Sequence, residues 1–195
     1  YFLVHRIDKE TSGVLILAKQ KDVCTRLIEQ FAQRETQKRY LAIVKGIAPL
    51  EFGVDLPMRK ATNSIVELKM ETCGHDAGAM SAFTQFRRLE VAGQFSLLEC
   101  FPRTGRQHQI RVHLESAGHP IVGDKLYGVP EEDVFNFYEK RFLSPEAEAR
   151  LILPRHALHA SRLALTHPVS GKKIEFESEL PDDLKFFLQK HQARS

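Results

Sequence analysis

Ala82-Phe83-Thr84-Gln85-Phe86-Arg87-Arg88-Leu89 and Phe95-Ser96-Leu97-Leu98-Glu99-Cys100-Phe101 read as consecutive strands, and with Ser64–Glu71 before them they form an antiparallel run. Working toward the N-terminus, Lys38–Lys45 is a further strand (Tyr40, Leu41, Ile43, Val44) closed by Gly46. The turn-rich stretch Ala48–Asn63 reads as a loop. Lys21–Glu35 has the spacing of an amphipathic helix, with Val23, Leu27 and Phe31 beside Cys24, Ile28 and Ala32. Val14–Ala18 has a buried-strand pattern, with little sequence before it to pair or cover it. An N-terminal piece is therefore expected to be missing.

Toward the C-terminus, His108–Ala117 predicts a helix with Ile110 and Leu114 on one side, and Gly118 suits a left-handed cap. The charged, helix-prone segment Glu131–Leu153, with Pro145 at a helix start, reads as an insertion. Ala157–Leu165 and Lys173–Glu177 return to strand around the turn His167–Gly171, and Pro181-Asp182-Asp183 opens a last helix. The expectation is one α+β domain over residues 1–195, with a single mixed, largely antiparallel sheet flanked by helices and loops.

Composition excludes several classes. With 43% hydrophobic and 27% charged residues, the 195-residue chain is globular rather than disordered. No apolar run approaches the roughly 20 residues of a membrane helix, and Tyr1-Phe2-Leu3-Val4-His5 does not open a signal peptide. Three scattered cysteines without a C-x-x-C pair point to reduced thiols in a cytoplasmic protein. A net charge of +3 is compatible with a polyanionic partner.

Two polar clusters depart from ordinary surface. His5-Arg6-Ile7-Asp8-Lys9-Glu10-Thr11-Ser12-Gly13 feeds a hydrophobic strand. Arg103-Thr104-Gly105-Arg106-Gln107-His108-Gln109-Ile110-Arg111-Val112-His113 crosses from strand to helix, where free amide groups and arginines bind phosphate. Plainer readings exist for each residue. Asp8 is explained as well by an Asx turn, any one arginine by a solvated face, and Tyr40 by cross-strand packing. His156 and His159 form a His-x-x-His pair, but without cysteine or carboxylate partners packing or hydrogen bonding is preferred to a metal. No dinucleotide, P-loop, nucleophile-elbow or H-E-x-x-H motif is present.

Taken in order, these segments resemble the RluA-type pseudouridine synthases. His5-Arg6-Ile7-Asp8-x-x-Thr11-Ser12-Gly13 matches the H-R-L-D-x-x-T-S-G segment, and Lys38-Arg39-Tyr40-x-Ala42 matches K-x-Y-x-A. Thr104–Leu114 matches T-G-R-T-H-Q-I-R-V-H-L, and Gly118-His119-Pro120-Ile121-Val122-Gly123-Asp124-x-x-Tyr127-Gly128 continues it. Arg155–Ala160 and His167-Pro168 fit the late strand region. Ile7 and Gln107 depart from the usual leucine and threonine, and the strands and small RNA-binding domain that often precede the motif are not in the sequence.

The resemblance implies isomerisation of uridine to pseudouridine in structured ribosomal or transfer RNA, by base flipping and without cofactor or metal. It implies that Asp8 is the catalytic carboxylate, that Tyr40 lines the site and that Arg111 pairs with Asp8. Arg6 would hold the flipped state, with Arg103, Arg106, His108 and Ile110 as further substrate contacts. Arg59-Lys60 and Arg87-Arg88 are weaker phosphate candidates, and Glu131–Leu153 either helps choose the RNA or is a passive surface hairpin. A monomer is expected. The rivals are a non-catalytic RNA-binding module and a metallohydrolase built on His108, His113, His156 and His159.

Overall fold

A computed structural model describes residues 1–64, 66–76 and 78–192. In chain order its elements are β1 (Phe2–Leu3), β2 (Ser12–Gly13), β3 (Leu17–Ala18), α1 (Lys21–Ala32), β4 (Gln37–Lys45), β5 (Glu51–Asp55), β6 (Met58–Lys60) and β7 (Met70–Thr72). There follow β8 (Phe83–Ala92), β9 (Phe95–Pro102), α2 (Gln109–Ser116), α3 (Glu131–Lys140), α4 (Pro145–Leu151), β10 (Leu158–Thr166), β11 (Lys173–Glu177) and α5 (Asp182–Gln192). The α+β class and the mixed sheet are as expected.

The main sheet runs β11-β10-β4-β9-β8-β5, antiparallel throughout. Strand β2 adds the one parallel pairing among the described residues, against His159 and Ala160 of β10, while β11 takes Arg162–Thr166 further along the same strand. This split edge seats the end of the His5–Gly13 segment beside the start of β10. The core beneath it is continuous, from Ile43, Val44, Phe86 and Leu98 on the strands to Leu114 of α2 and Leu184 of α5.

Three expectations are corrected. Val14–Ala18 is not one buried strand: Val14 donates its backbone N–H to Ala160, and only Leu17–Ala18 pairs, with β1. Val14, Ile16 and Ala18 face a small core while Leu15 and Leu17 are exposed, a half-buried alternation. The stretch Ala48–Asn63 is not one loop, because Glu51-Phe52-Gly53-Val54-Asp55 alternates with strand period and pairs with β8. Of the strand expected over Ser64–Glu71, Ile65 lies outside the described residues, and pairing begins only at Met70. The Glu131–Leu153 segment forms the helical pair α3 and α4, packed onto the rest of the fold. Val134 and Leu151 are buried, and Val134 joins a second core with Met58, Leu126 and Tyr127.

Candidate active site

The loop before β2 is fixed at several points. Thr11 donates its backbone N–H to the Asp8 carbonyl at 2.9 Å, and its hydroxyl bonds His156 Nε2 at 2.8 Å. Ser12 Oγ bonds His159 Nδ1 at 2.9 Å, and Lys125 Nζ meets Glu10 Oε1 at 2.6 Å. Gly13 adopts φ +112°, and a Cβ there would lie 2.2 Å from the Ala160 carbonyl oxygen. Only glycine lets the chain run this close to β10. The loop is thereby held with Asp8 facing inward.

Arg111, the third residue of α2, faces Asp8 and is 5% exposed. Its Nη1 donates to Asp8 Oδ2 at 2.9 Å, while Nε and Nη2 grip Asp124 at 2.7 and 2.8 Å. Asp124 in turn accepts the Leu126 and Tyr127 backbone N–H groups. Burial opposes charge on both residues. Their mutual hydrogen bonds and the neighbouring charges together outweigh it, raising the arginine above its usual value and holding Asp124 below the usual carboxylate range.

The Arg103–His108 turn is anchored by Gln109. Its Oε1 accepts from Thr104 Oγ1 at 2.6 Å and from the Arg106 N–H at 3.1 Å, and its Nε2 donates to Phe83 and Thr84. His108 caps α2 in the left-handed region (φ 57°). Its Nδ1 lies 2.8 Å from Tyr127 Oη, and its Nε2 lies 4.0 Å from Asp8 Oδ1. Burial, then Arg111, pushes His108 down to about 4, so the ring is neutral at pH 7.

These groups line one cleft of about 610 Å³ between α1, β4 and the Arg103–His108 turn, within the range of small-molecule sites. Tyr40 rises from β4 between Cys100 of β9 and Ala160 of β10, and burial followed by Asp8 pushes its phenol up to about 12. Ile110 and Leu158 add apolar wall. Arg6, Arg34, Lys38, Arg106 and Arg111 also line the cleft, and Asp8 is the one acidic residue among the described lining residues. Burial, then Arg34, lowers Lys38.

Of the residues singled out by sequence, Asp8, Tyr40, Arg111, Arg6, Arg106, His108 and Ile110 share this cleft. Arg103 does not; it stacks over the Phe83 ring and lines a neighbouring hollow with Arg34, Lys38, Arg39 and Arg162. Arg59 is paired with Glu71, Arg87 with Glu99, and Arg88 donates to the Ala48 carbonyl, all three outside this cleft. His156 and His159 are committed to Thr11 and Ser12, and His113 to Thr84. Among the described residues no three His, Cys, Asp or Glu side chains converge on a point that a metal could occupy. Asp124 and Tyr127 lie in the Gly-Asp-x-x-Tyr-Gly segment, but sequence gave them no role. A buried arginine facing Asp8 needs a second carboxylate, and that requirement is the signal that could have found Asp124.

The cleft thus sets one carboxylate, held by a buried arginine, beside an aromatic ring and among cations, the make-up of an enzyme-like site. Residues 1–116 match the family model described as RNA pseudouridylate synthase. The chain belongs to the RNA pseudouridylate synthase family. It is 37% identical over 187 residues to ribosomal large subunit pseudouridine synthase D of Zymomonas mobilis, covering 96% of this chain and 55% of that protein. It is 40% identical to the Nitrosomonas europaea protein of the same name, covering 96% of this chain and 50% of that one. The chain thus spans about half the length of these relatives. The structure of human RNA pseudouridylate synthase domain containing 4 superposes with a TM-score of 0.76 at 32% identity, covering 98% of this chain and 76% of that one.

Proposed function

We propose that the chain isomerises uridine in structured RNA to pseudouridine, with Asp8 as the catalytic carboxylate. The observation that carries this reading is the convergence of Asp8, Arg111 and Tyr40 from three distant segments into one cleft lined by cations. Detaching uracil, turning it and rejoining it through C5 requires the base to leave its stack, which costs a few kcal/mol. Stacking on Tyr40 returns roughly 1–3 kcal/mol of that. Arg6, exposed at the cleft edge, fills the vacated position, and Arg106, His108 and Ile110 contact the flipped nucleotide. Arg111 fixes the Asp8 carboxylate through Oδ2 and leaves Oδ1 toward the substrate.

Ribosomal RNA is the proposed substrate class, on the strength of the names that the bacterial relatives carry; transfer RNA is the second candidate. A monomer acting in the cytoplasm, without metal or cofactor, belongs to the same proposal. No helix among the described residues is long and apolar enough to cross a membrane.

Tritium release from RNA labelled at uracil C5 tests the activity, because forming the new glycosidic bond at C5 frees that hydrogen. The wild type should release tritium and Asp8→Asn should release none while still binding RNA. Near-wild-type release by Asp8→Asn would sink the assignment of Asp8.

A further inference from the structure

The arrangement around Asp8 presents a donor and an acceptor at matched positions. Met70 donates its backbone N–H to Tyr127 Oη at 3.0 Å. The phenol already accepts from Met70, and its single proton still needs an acceptor; it is assigned to His108 Nδ1, 2.8 Å away. With Nδ1 accepting, the neutral imidazole carries its hydrogen on Nε2. That N–H faces Asp8 Oδ1, the carboxylate oxygen that Arg111 leaves open, across 4.0 Å. The gap is too long for a direct hydrogen bond. One oxygen fits between them, since two bonds of about 2.8 Å meet there at about 90°.

Such an oxygen must accept from His108 and donate to Asp8, which is what a hydroxyl does and a carbonyl or phosphate oxygen does not. On a flipped uridine the hydroxyl beside the glycosidic bond is the ribose 2′-OH, the group that separates RNA from DNA. We propose that His108 Nε2 and Asp8 Oδ1 together bind the 2′-hydroxyl of the reacting nucleotide, and that His108 is thereby the residue selecting ribose over deoxyribose. This rests on the isomerase reading above. The Tyr127–Met70 relay is the positioning device, because it holds the histidine tautomer that donates.

His108→Asn is the informative substitution. The shorter amide keeps a partner for Tyr127 Oη, tolerates the left-handed backbone of residue 108 and removes the donor facing Asp8. The wild type is first run on a large-subunit ribosomal RNA transcript to locate the uridine converted. Synthetic stem-loops around that uridine are then made with ribose, 2′-deoxyribose or 2′-fluororibose at that one position. The fluoro sugar keeps the ribose-like pucker without a hydroxyl.

Wild-type preference for ribose, read in kcat/KM and in equilibrium binding, is expected to fall about fivefold in His108→Asn, the worth of one neutral hydrogen bond. Tyr127→Phe should lower the preference as well. A purely structural role for His108 would slow all three substrates equally, so an unchanged ratio overturns the inference while leaving the isomerase reading intact. No conversion of ribosomal or transfer RNA by the wild type overturns the activity itself, and this inference with it.

Discussion

Arg111 gives both Nε and Nη2 to the carboxylate of Asp124 and keeps only Nη1 for Asp8. The cation is thus held from behind by a fully buried acid, and Asp8 can be presented to the cleft without directing the arginine itself. Removing one member of a buried pair strands the other charge, at a cost of about 3–5 kcal/mol. Asp124→Asn should therefore lower stability by that order and abolish most turnover, although the side chain is too deep to touch RNA. The asparagine still accepts the Leu126 and Tyr127 N–H groups. Hence Arg111→Met combined with Asp124→Asn should regain part of the stability without regaining activity. Thermal melts beside tritium release check this; full stability in Asp124→Asn alone would contradict it.

Burial followed by the Arg111 charge lowers His108 and His156 from 6.5 to about 4, and burial also lowers His5, His113 and His159. In the unfolded chain these rings take protons near 6.5, whereas in the folded chain they resist them. The stability they contribute is therefore full above pH 6.5 and drains as pH falls toward 4. Two such groups give a slope approaching about 2.7 kcal/mol per pH unit inside that window. Denaturant midpoints between pH 7.5 and 4.5 should fall steeply. His156→Gln, which keeps an amide near Thr11, should flatten the profile, and an unchanged profile would count against the burial argument.

Much of this was legible in the sequence, for physical reasons. The strands around Tyr40 and Phe86 and the helix carrying Ile110 and Leu114 follow apolar period, which burial enforces. The ends of the chain's middle section were less legible. Glu51–Asp55 has strand alternation, but Gly53 and the nearby prolines mask it, and β6 and β7 are too short to show a period. The site divides in the same way. Asp8 and Arg111 stand in recognisable motifs, whereas the Arg111–Asp124 clamp and the Glu10–Lys125 tether depend on how distant segments meet. Arg103 shows the converse: adjacency in sequence put it with Arg106, but its side chain leaves along Phe83 into the next hollow.

On the proposed RNA-modifying reading, that hollow can be tested for a part in RNA affinity. Arg103 and Arg34 are exposed and form no ion pair among the described residues, whereas Arg39 and Arg162 are balanced by Glu99, Glu175 and Glu177. An RNA strand leaving the cleft along this side would meet Arg103 through phosphate. Arg103→Ala should weaken binding with little effect on turnover at saturating RNA. The slope of log affinity against log salt should shrink by about one unit per lost phosphate contact. A salt slope identical to the wild type would place Arg103 outside the interface.

Gly13 offers a test that separates loop placement from chemistry. A methyl group at residue 13 would press on the Ala160 carbonyl, and φ +112° is unfavourable for any residue with a side chain. Strain of this kind costs about 1–3 kcal/mol. Relief would come from lifting β2 off β10, which carries the Thr11–His156 and Ser12–His159 bonds and, with them, Asp8. Gly13→Ala should therefore lose turnover far beyond its loss of stability, while Gly171→Ala, at φ +67° in the exposed turn between β10 and β11 with open space around it, should be strained locally but keep activity. Measuring melting temperature and tritium release for both variants decides the matter: equal activity in the two would mean that the β2–β10 contact does not position Asp8.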